Sequence, residues 1–359
     1  MKNKHILLIL VGGTICTALN EEGNLSVSEK AGSHLVSAFE NSSSPYAKQV
    51  SFDLTENLYI LSENMTVEKW NLMLDTYLSH TKNTHYDGII FAHGTDTLAY
   101  SASLFAQLLS ATDVPVFFVS ANKNLSDAAS NGHANFRCAV ECICRNITPN
   151  VYVSYRNISD GKMYLHLGSR LQQCPNYAED FQSAGMLDIS DISEQNFTSY
   201  FERIQILYPP KKRNAFAIES IKLKPCVLLL TPYVGIRYDA YHYEKFDAVL
   251  HGTFHSGTAC AEGEVNSVLD MLDRCAELHV DAYLSPALLK KGTYETVSII
   301  GNHEKNGQKF KFLYGFTQET AYAKLLIAYS CFLDATDRQT FIETEHNFEI
   351  TDRKETAES

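Results

Sequence analysis

Apolar positions recur along this chain in two rhythms. Ile6–Val11, Gly88–Ala92 and Val114–Ser120 are short, nearly continuous apolar runs, and Val151–Tyr155 and Lys162–Leu167 follow. Val67–Leu78, Thr97–Leu109 and Asp127–Cys144 instead carry apolar residues at helical spacing. Strands apolar on both faces, separated by amphipathic helices, predict a parallel sheet covered on both sides, which is an α/β fold. Ser42-Ser43-Ser44-Pro45 reads as a surface loop. The rhythm breaks at Tyr208-Pro209-Pro210-Lys211-Lys212-Arg213, where two prolines can continue neither a helix nor a central strand. It resumes with strands at Cys226–Thr231, Ala248–Leu250 and Ala282–Leu284, and helices at Asn266–Leu278 and Ala321–Phe332. The expected layout is a larger N-terminal parallel-sheet domain over 1–208, flavodoxin- or Rossmann-like, a linker at 209–220, and a smaller C-terminal α/β domain over 221–350. Residues 351–359 form a charged tail with no apolar anchor. The cations Lys211–Arg213 read as a solvated linker rather than an anion site.

Two of the strands end in turns that carry chemistry. In open α/β sheets, ligands bind outside the carboxyl ends of the strands. After the first strand comes Val11-Gly12-Gly13-Thr14-Ile15, whose glycines allow a sharp turn and a close approach to a ligand. After Gly88–Ala92 comes His93-Gly94-Thr95-Asp96-Thr97, which opens a helix and directs backbone N–H groups at an anion such as a carboxylate. Asp96 has two readings, as a helix cap or as the partner of a ligand's ammonium group. A P-loop pattern is absent, and no G-x-G-x-x-G follows the first strand.

Composition narrows the classes. Against 30 Lys+Arg stand 42 Asp+Glu, a formal net charge of −12. That sign argues against neutralising nucleic-acid phosphates or an anionic membrane surface. The sequence has no run of about 18 apolar residues, so no span is expected, and Ile6–Val11 is short for a signal core. Nine scattered cysteines make a poor disulfide framework and fit free thiols in a cytoplasmic protein. Cys138 and Cys142 share a helix face but lack a partner pair, and His251 and His255 lie in a glycine-containing loop, so no metal is expected.

The two turns resemble the signatures of the bacterial type I (cytoplasmic) L-asparaginases. That family's T-G-G-T-I stands here as Val11-Gly12-Gly13-Thr14-Ile15, and its H-G-T-D-T is complete at His93–Thr97. Ser62-Glu63-Asn64-Met65-Thr66 with Trp70, Ser130-Asn131-Gly132 with Asn135, Gly168-Ser169-Arg170 and the helix 319–330 resemble further family segments. The resemblance implies an asparaginase-like two-domain fold and hydrolysis of L-asparagine to L-aspartate and ammonia through a threonine nucleophile and an acyl-enzyme. It assigns catalytic roles to Thr14, Thr95 and Asp96, and substrate binding to Gly13, Ser62, Glu63, Gly94 and Ala121. It implies no cofactor, and a homodimer or homotetramer in which Gly257-Thr258 takes the place of a loop that reaches a neighbouring subunit's site.

The sequence departs from the family at four polar positions. Where the family has a tyrosine in the loop after the first signature, this protein has Asn24; where it has a lysine, this protein has Gln173. Val11 replaces a threonine and Asn131 an aspartate. An amide orients a hydroxyl but takes no proton at neutral pH. His166 is the candidate substitute base; Arg170, always protonated, is not. Three readings follow: an amidohydrolase with altered helpers, a weak or silent amino-acid-binding sensor, or the glutaminase subunit of an amidotransferase. One methylene separates asparagine from glutamine, so nothing in the sequence chooses between them.

Overall fold

A computed structural model describes residues 3–19, 25–27, 30–190, 202, 218–287 and 294–351. The protein divides into two compact units, one of residues 1–220 with 346–348 and 354–359, the other of 221–345 with 349–353. Asn24 and the basic run Lys211–Arg213 lie outside the described residues.

The first unit is built on a seven-stranded sheet. Its strands are β1 (Lys4–Leu10), β4 (Val50–Leu54), β5 (Gly88–Ala92), β6 (Val116–Val119), β7 (Val151–Arg156), β8 (Met163–Leu167) and β11 (Leu187–Asp188). Two small hairpins accompany it, β2 (Thr17–Leu19) with β3 (Leu25–Val27) and β9 (Leu171–Gln172) with β10 (Gln182–Ser183). The order across the large sheet is β11-β8-β7-β6-β5-β1-β4. The five parallel strands therefore run in the flavodoxin-like order, with the reversal of direction between β1 and β5. Every residue of β5 and β6 is buried, as runs apolar on both faces require.

Helices cover both faces. The helices α1 (Ala31–Glu40) and α4 (Gly132–Cys144) pack on one, where Leu35, Phe39, Phe136 and Val140 meet Ile6, Leu8, Ile90 and Phe117. The helices α2 (Val67–Thr81) and α3 (Leu98–Leu108) hold the other, where Phe91 stacks on Phe118 at 4.7 Å and meets Phe105 at 5.0 Å and Tyr77 at 6.5 Å between ring centroids. Thr66 caps α2 by accepting from the Lys69 backbone N–H.

Three departures from the sequence pattern have physical causes. Met163–Leu167 runs antiparallel to its neighbour β7. Only residues 157–162 separate the two strands, too few for the crossover that a parallel pair needs. Second, α4 begins at Gly132 rather than Asp127. Asn124 and Asp127 turn their side chains back onto the backbone N–H groups of Ser126 and Ala129, which favours turns over helix. Third, the pattern does not single out α1 and β4, although Leu35 and Phe39 of α1 are buried and Val50, Phe52 and Leu54 alternate along β4, an edge strand with no buried residue.

The second unit holds a four-stranded parallel sheet, β12 (Val227–Leu230), β13 (Ala248–His251), β14 (Asp281–Ala287) and β15 (Lys311–Tyr314), in sequential order. Its core gathers Leu230, Val249, Leu272, Cys275 and Leu284. All nine cysteines are free thiols. Among the described residues no helix is long and apolar enough to cross a membrane.

Candidate active site

The reversal point between β1 and β5 brings the two motif loops together. Leu10 and Ala92 are partners in register, so Val11-Gly12-Gly13-Thr14 and His93-Gly94-Thr95-Asp96 leave the sheet side by side. The Val11 N–H donates to the Ala92 carbonyl at 3.0 Å, and the Gly13 N–H to the Ile60 carbonyl at 3.0 Å. Gly13 has φ +72, and a Cβ on it would lie 2.2 Å from the Cα of Gly94. A Cβ on Gly94 would in turn fall 2.5 Å from the Ser62 hydroxyl oxygen. No side chain fits between these loops, and the contact is made by backbone alone.

Thr14 opens a short 3-10 turn over Thr14–Cys16 and is half-buried. Its carbonyl accepts from the Thr17 hydroxyl at 2.9 Å. Beneath the second loop, Ser62 is buried, and its hydroxyl donates to a carboxylate oxygen of Asp96 at 2.9 Å while accepting from the Asp96 N–H at 3.3 Å. The Thr97 hydroxyl donates to the Ser62 carbonyl at 2.9 Å. Asp96 does not cap α3: Thr97 holds the cap position, without a side-chain cap bond. The Asp96 carboxylate is exposed and held by Ser62 rather than spent on the helix end.

A cavity of about 370 Å3 opens beside this loop, lined by Thr95, Asp96, Gln173 and Asn122 among others. Gln173 donates from Nε2 to the Thr95 carbonyl at 3.1 Å, so the position read as a missing lysine does lie against the second motif. Of the expected site residues Thr95, Asp96 and Gln173 line this cavity, whereas Thr14, Gly13, Ser62, Glu63, Gly94 and Ala121 are not among its lining. Glu63 is exposed on its own 3-10 turn, and Ala121 is fully buried just beyond β6. His166 is buried in β8, where its Nδ1 pairs with the Ser183 hydroxyl at 2.9 Å. Burial drives its pKa down to about 3, and it does not line the cavity. Arg170 is buried and donates to the Phe348 carbonyl. His93, at the head of the second motif, is buried with its Nδ1 2.7 Å from the Gly94 carbonyl oxygen, and burial lowers its pKa to about 4. Asn131 holds the neighbouring loop: its Oδ1 accepts from the Asn122 N–H at 2.9 Å and its Nδ2 donates to the Arg156 carbonyl at 2.8 Å. His251 ends β13 in the second unit and pairs with the Tyr238 hydroxyl at 2.7 Å.

The cavity also contains residues that the motifs did not flag: Asn122, Tyr155, Cys174, Tyr177 and Glu179. Tyr155 reads as strand packing in the sequence, and the stretch 175–179 carries no recognisable spacing.

The model of the family described as "Asparaginase, N-terminal" matches residues 5–205. The chain belongs to the asparaginase family. Among solved structures, the thermostable L-asparaginase from Thermococcus kodakarensis is 19% identical with a TM-score of 0.71, covering 97% of this protein and 99% of that one. L-asparaginase I from Vibrio cholerae is 21% identical with a TM-score of 0.69 over the same shares. These likenesses show that the asparaginase fold spans both units. Among curated proteins, the glutamyl-tRNA(Gln) amidotransferase D subunit from Haloquadratum walsbyi is 28% identical over 223 residues, 62% of this protein and 48% of that one. Its counterpart from Archaeoglobus fulgidus is 26% identical over 240 residues, 66% of this protein and 54% of that one. This asparaginase-family protein spans about half the length of the curated relatives it matches.

Proposed function

We propose that this protein hydrolyses the side-chain amide of L-asparagine, in the manner of the bacterial type I L-asparaginases. Thr14 attacks the amide carbon, the C–N bond breaks with release of ammonia, and water then cleaves the acyl-threonine ester to give L-aspartate. Asp96, aligned by Ser62, takes the substrate's ammonium group, and Thr95 helps deliver the attacking group or water. Backbone N–H groups at the loop are the natural oxyanion donors. The scheme needs no metal and no organic cofactor. The observation that supports it is the backbone contact of Gly13 on Gly94, which brings the loops carrying the hydroxyl and the acid into one place. Gln173 orients but accepts no proton at neutral pH, so turnover is expected to be slow. A homodimer or homotetramer and a cytoplasmic setting complete the reading.

The test is ammonia release from L-asparagine by the purified protein. Thr14→Ala is expected to abolish it, and equal release by both proteins removes the nucleophile assignment. Binding of asparagine without ammonia would favour the sensor reading.

A second reading has its own support. The amidotransferase relatives match 62% and 66% of this sequence. On this reading the site liberates ammonia from glutamine for a partner enzyme. A kcat/KM for glutamine well above that for asparagine, rising further with a partner present, would favour it.

A further inference from the structure

His93 opens the second motif and is fully buried, yet it lies outside the chemistry assigned to Thr14, Thr95 and Asp96. Its Nδ1 is 2.7 Å from the Gly94 carbonyl oxygen. A carbonyl only accepts, so Nδ1 carries the proton. The other ring nitrogen, Nε2, has no hydrogen-bond partner, and the ring meets Phe118 edge-on at 5.9 Å between centroids. Burial lowers the pKa to about 4, so the ring is neutral at neutral pH. A polar ring with one nitrogen stranded in an apolar interior is costly. The one bond the ring makes is what sets it apart from an apolar residue of similar size.

That bond holds the peptide between Gly94 and Thr95. In a trans peptide the carbonyl and the following N–H point in opposite directions. With its carbonyl turned to the buried ring, this peptide turns the Thr95 N–H the other way, and among the described residues that N–H donates to no partner. The groups beside it are engaged: the Thr95 carbonyl accepts from Gln173 Nε2 at 3.1 Å, and the Asp96 N–H donates to the Ser62 hydroxyl at 3.3 Å. Position 94 has to be glycine, since a Cβ there would lie 2.5 Å from the Ser62 hydroxyl oxygen, and glycine leaves its peptide easy to flip. Gly13 packs against Gly94, so this peptide lies beside the loop that carries Thr14.

We infer that His93 is a positioning residue for amide hydrolysis: it locks the Gly94–Thr95 peptide so that the Thr95 N–H receives the oxyanion formed when Thr14 attacks. This rests on the amide-hydrolysing reading of the site and adds a group to it. A donor fixed beforehand stabilises the charge that develops on the substrate's amide oxygen and needs no reorganisation during the reaction. With the bond to His93 lost, the peptide samples the flipped arrangement, which turns the Gly94 carbonyl toward the oxyanion.

Two substitutions separate the bond from the volume of the ring. His93→Asn keeps an amide donor near the position of Nδ1, whereas His93→Gln carries its donor out to the position of Nε2. His93→Gln is expected to lower kcat for ammonia release from L-asparagine about a hundredfold with KM changed less than about threefold, and His93→Asn to lose less than about tenfold in kcat. A second readout needs no turnover: the Thr95 amide resonance in protein made with isotope-labelled threonine. L-aspartate should shift it downfield in the unsubstituted protein and in His93→Asn, and leave it unmoved in His93→Gln, because the product's side-chain carboxylate carries an oxygen where the oxyanion forms. Equal kcat losses in the two variants, a loss confined to KM, or a Thr95 resonance that ignores L-aspartate in the unsubstituted protein overturns the inference. Should His93→Gln fail to fold, the unsubstituted protein and His93→Asn still decide through that resonance. An unsubstituted protein that releases no ammonia yet shows the expected Thr95 shifts would sink the hydrolytic reading and leave the positioning of Thr95 standing.

Discussion

Gly13 leaves no room for a side chain. Its φ of +72 is strained for any residue with a Cβ, and an added methyl would meet the Gly94 backbone at 2.2 Å, an obstacle that cannot rotate away. Gly13→Ala is therefore expected to lower stability by about 2 kcal/mol or more and to separate the two motif loops. Urea unfolding and the ammonia assay read the two effects, and a fully stable, fully active Gly13→Ala protein would contradict the packing described. This constraint was partly legible in the sequence. Two glycines after an apolar strand announce a tight turn, but the residue they meet, Gly94, belongs to a different motif far along the sequence. Ser62 and Asp96 were legible as members of separate motifs, while the hydroxyl–carboxylate bond between them required the fold. Glu179 was not legible at all, because an acidic residue in a polar stretch is ordinarily just surface.

At the scale of elements, the strands β5, β8 and β13 deliver histidines into places that water does not reach. His93 follows β5, His166 lies within β8, and His251 ends β13. Burial lowers their pKa values to about 4, about 3 and about 4 from the ordinary 6.5. The unfolded protein binds protons below about pH 6.5, whereas the folded one does not until its own lower pKa is reached. Stability is therefore fully present above about pH 6.5 and is lost as pH falls from there toward about 4. Each such histidine costs about 1.4 kcal/mol per pH unit within that window. Urea unfolding at about pH 7.5 and about pH 5.5 should show the loss, and His166→Gln should reduce it by about 1 kcal/mol. An equal loss in the variant would mean that His166 is not held neutral. The sequence pattern located these strands because buried parallel strands are apolar at nearly every position. It misjudged the direction of β8, since direction depends on the length of the connection and not on apolar character.

Over the whole molecule, nine thiols remain free and nearly all are at least partly covered. Burial pushes the thiol pKa of Cys16, Cys144, Cys174 and Cys275 up to about 12, and that of Cys331 to about 11, so few thiolates exist at neutral pH. Cys260 is exposed. A disulfide-exchange reagent at about pH 8 should label Cys260 first in the native protein and all nine cysteines in guanidinium. A native protein that reacts rapidly at Cys174 would show that the site cavity is more open than described. On its own, the amino-acid sequence determined the α/β class, the strand-end motifs and the identity of the groups that can do chemistry, because these depend on spacing over a few residues. Tertiary structure alone decided that β1 and β5 are neighbours at the reversal of strand order, that Gln173 lies on Thr95, and that Asp96 and Glu179 share a cavity. Those contacts join residues dozens of positions apart, and local preferences carry no information about which distant segments will meet.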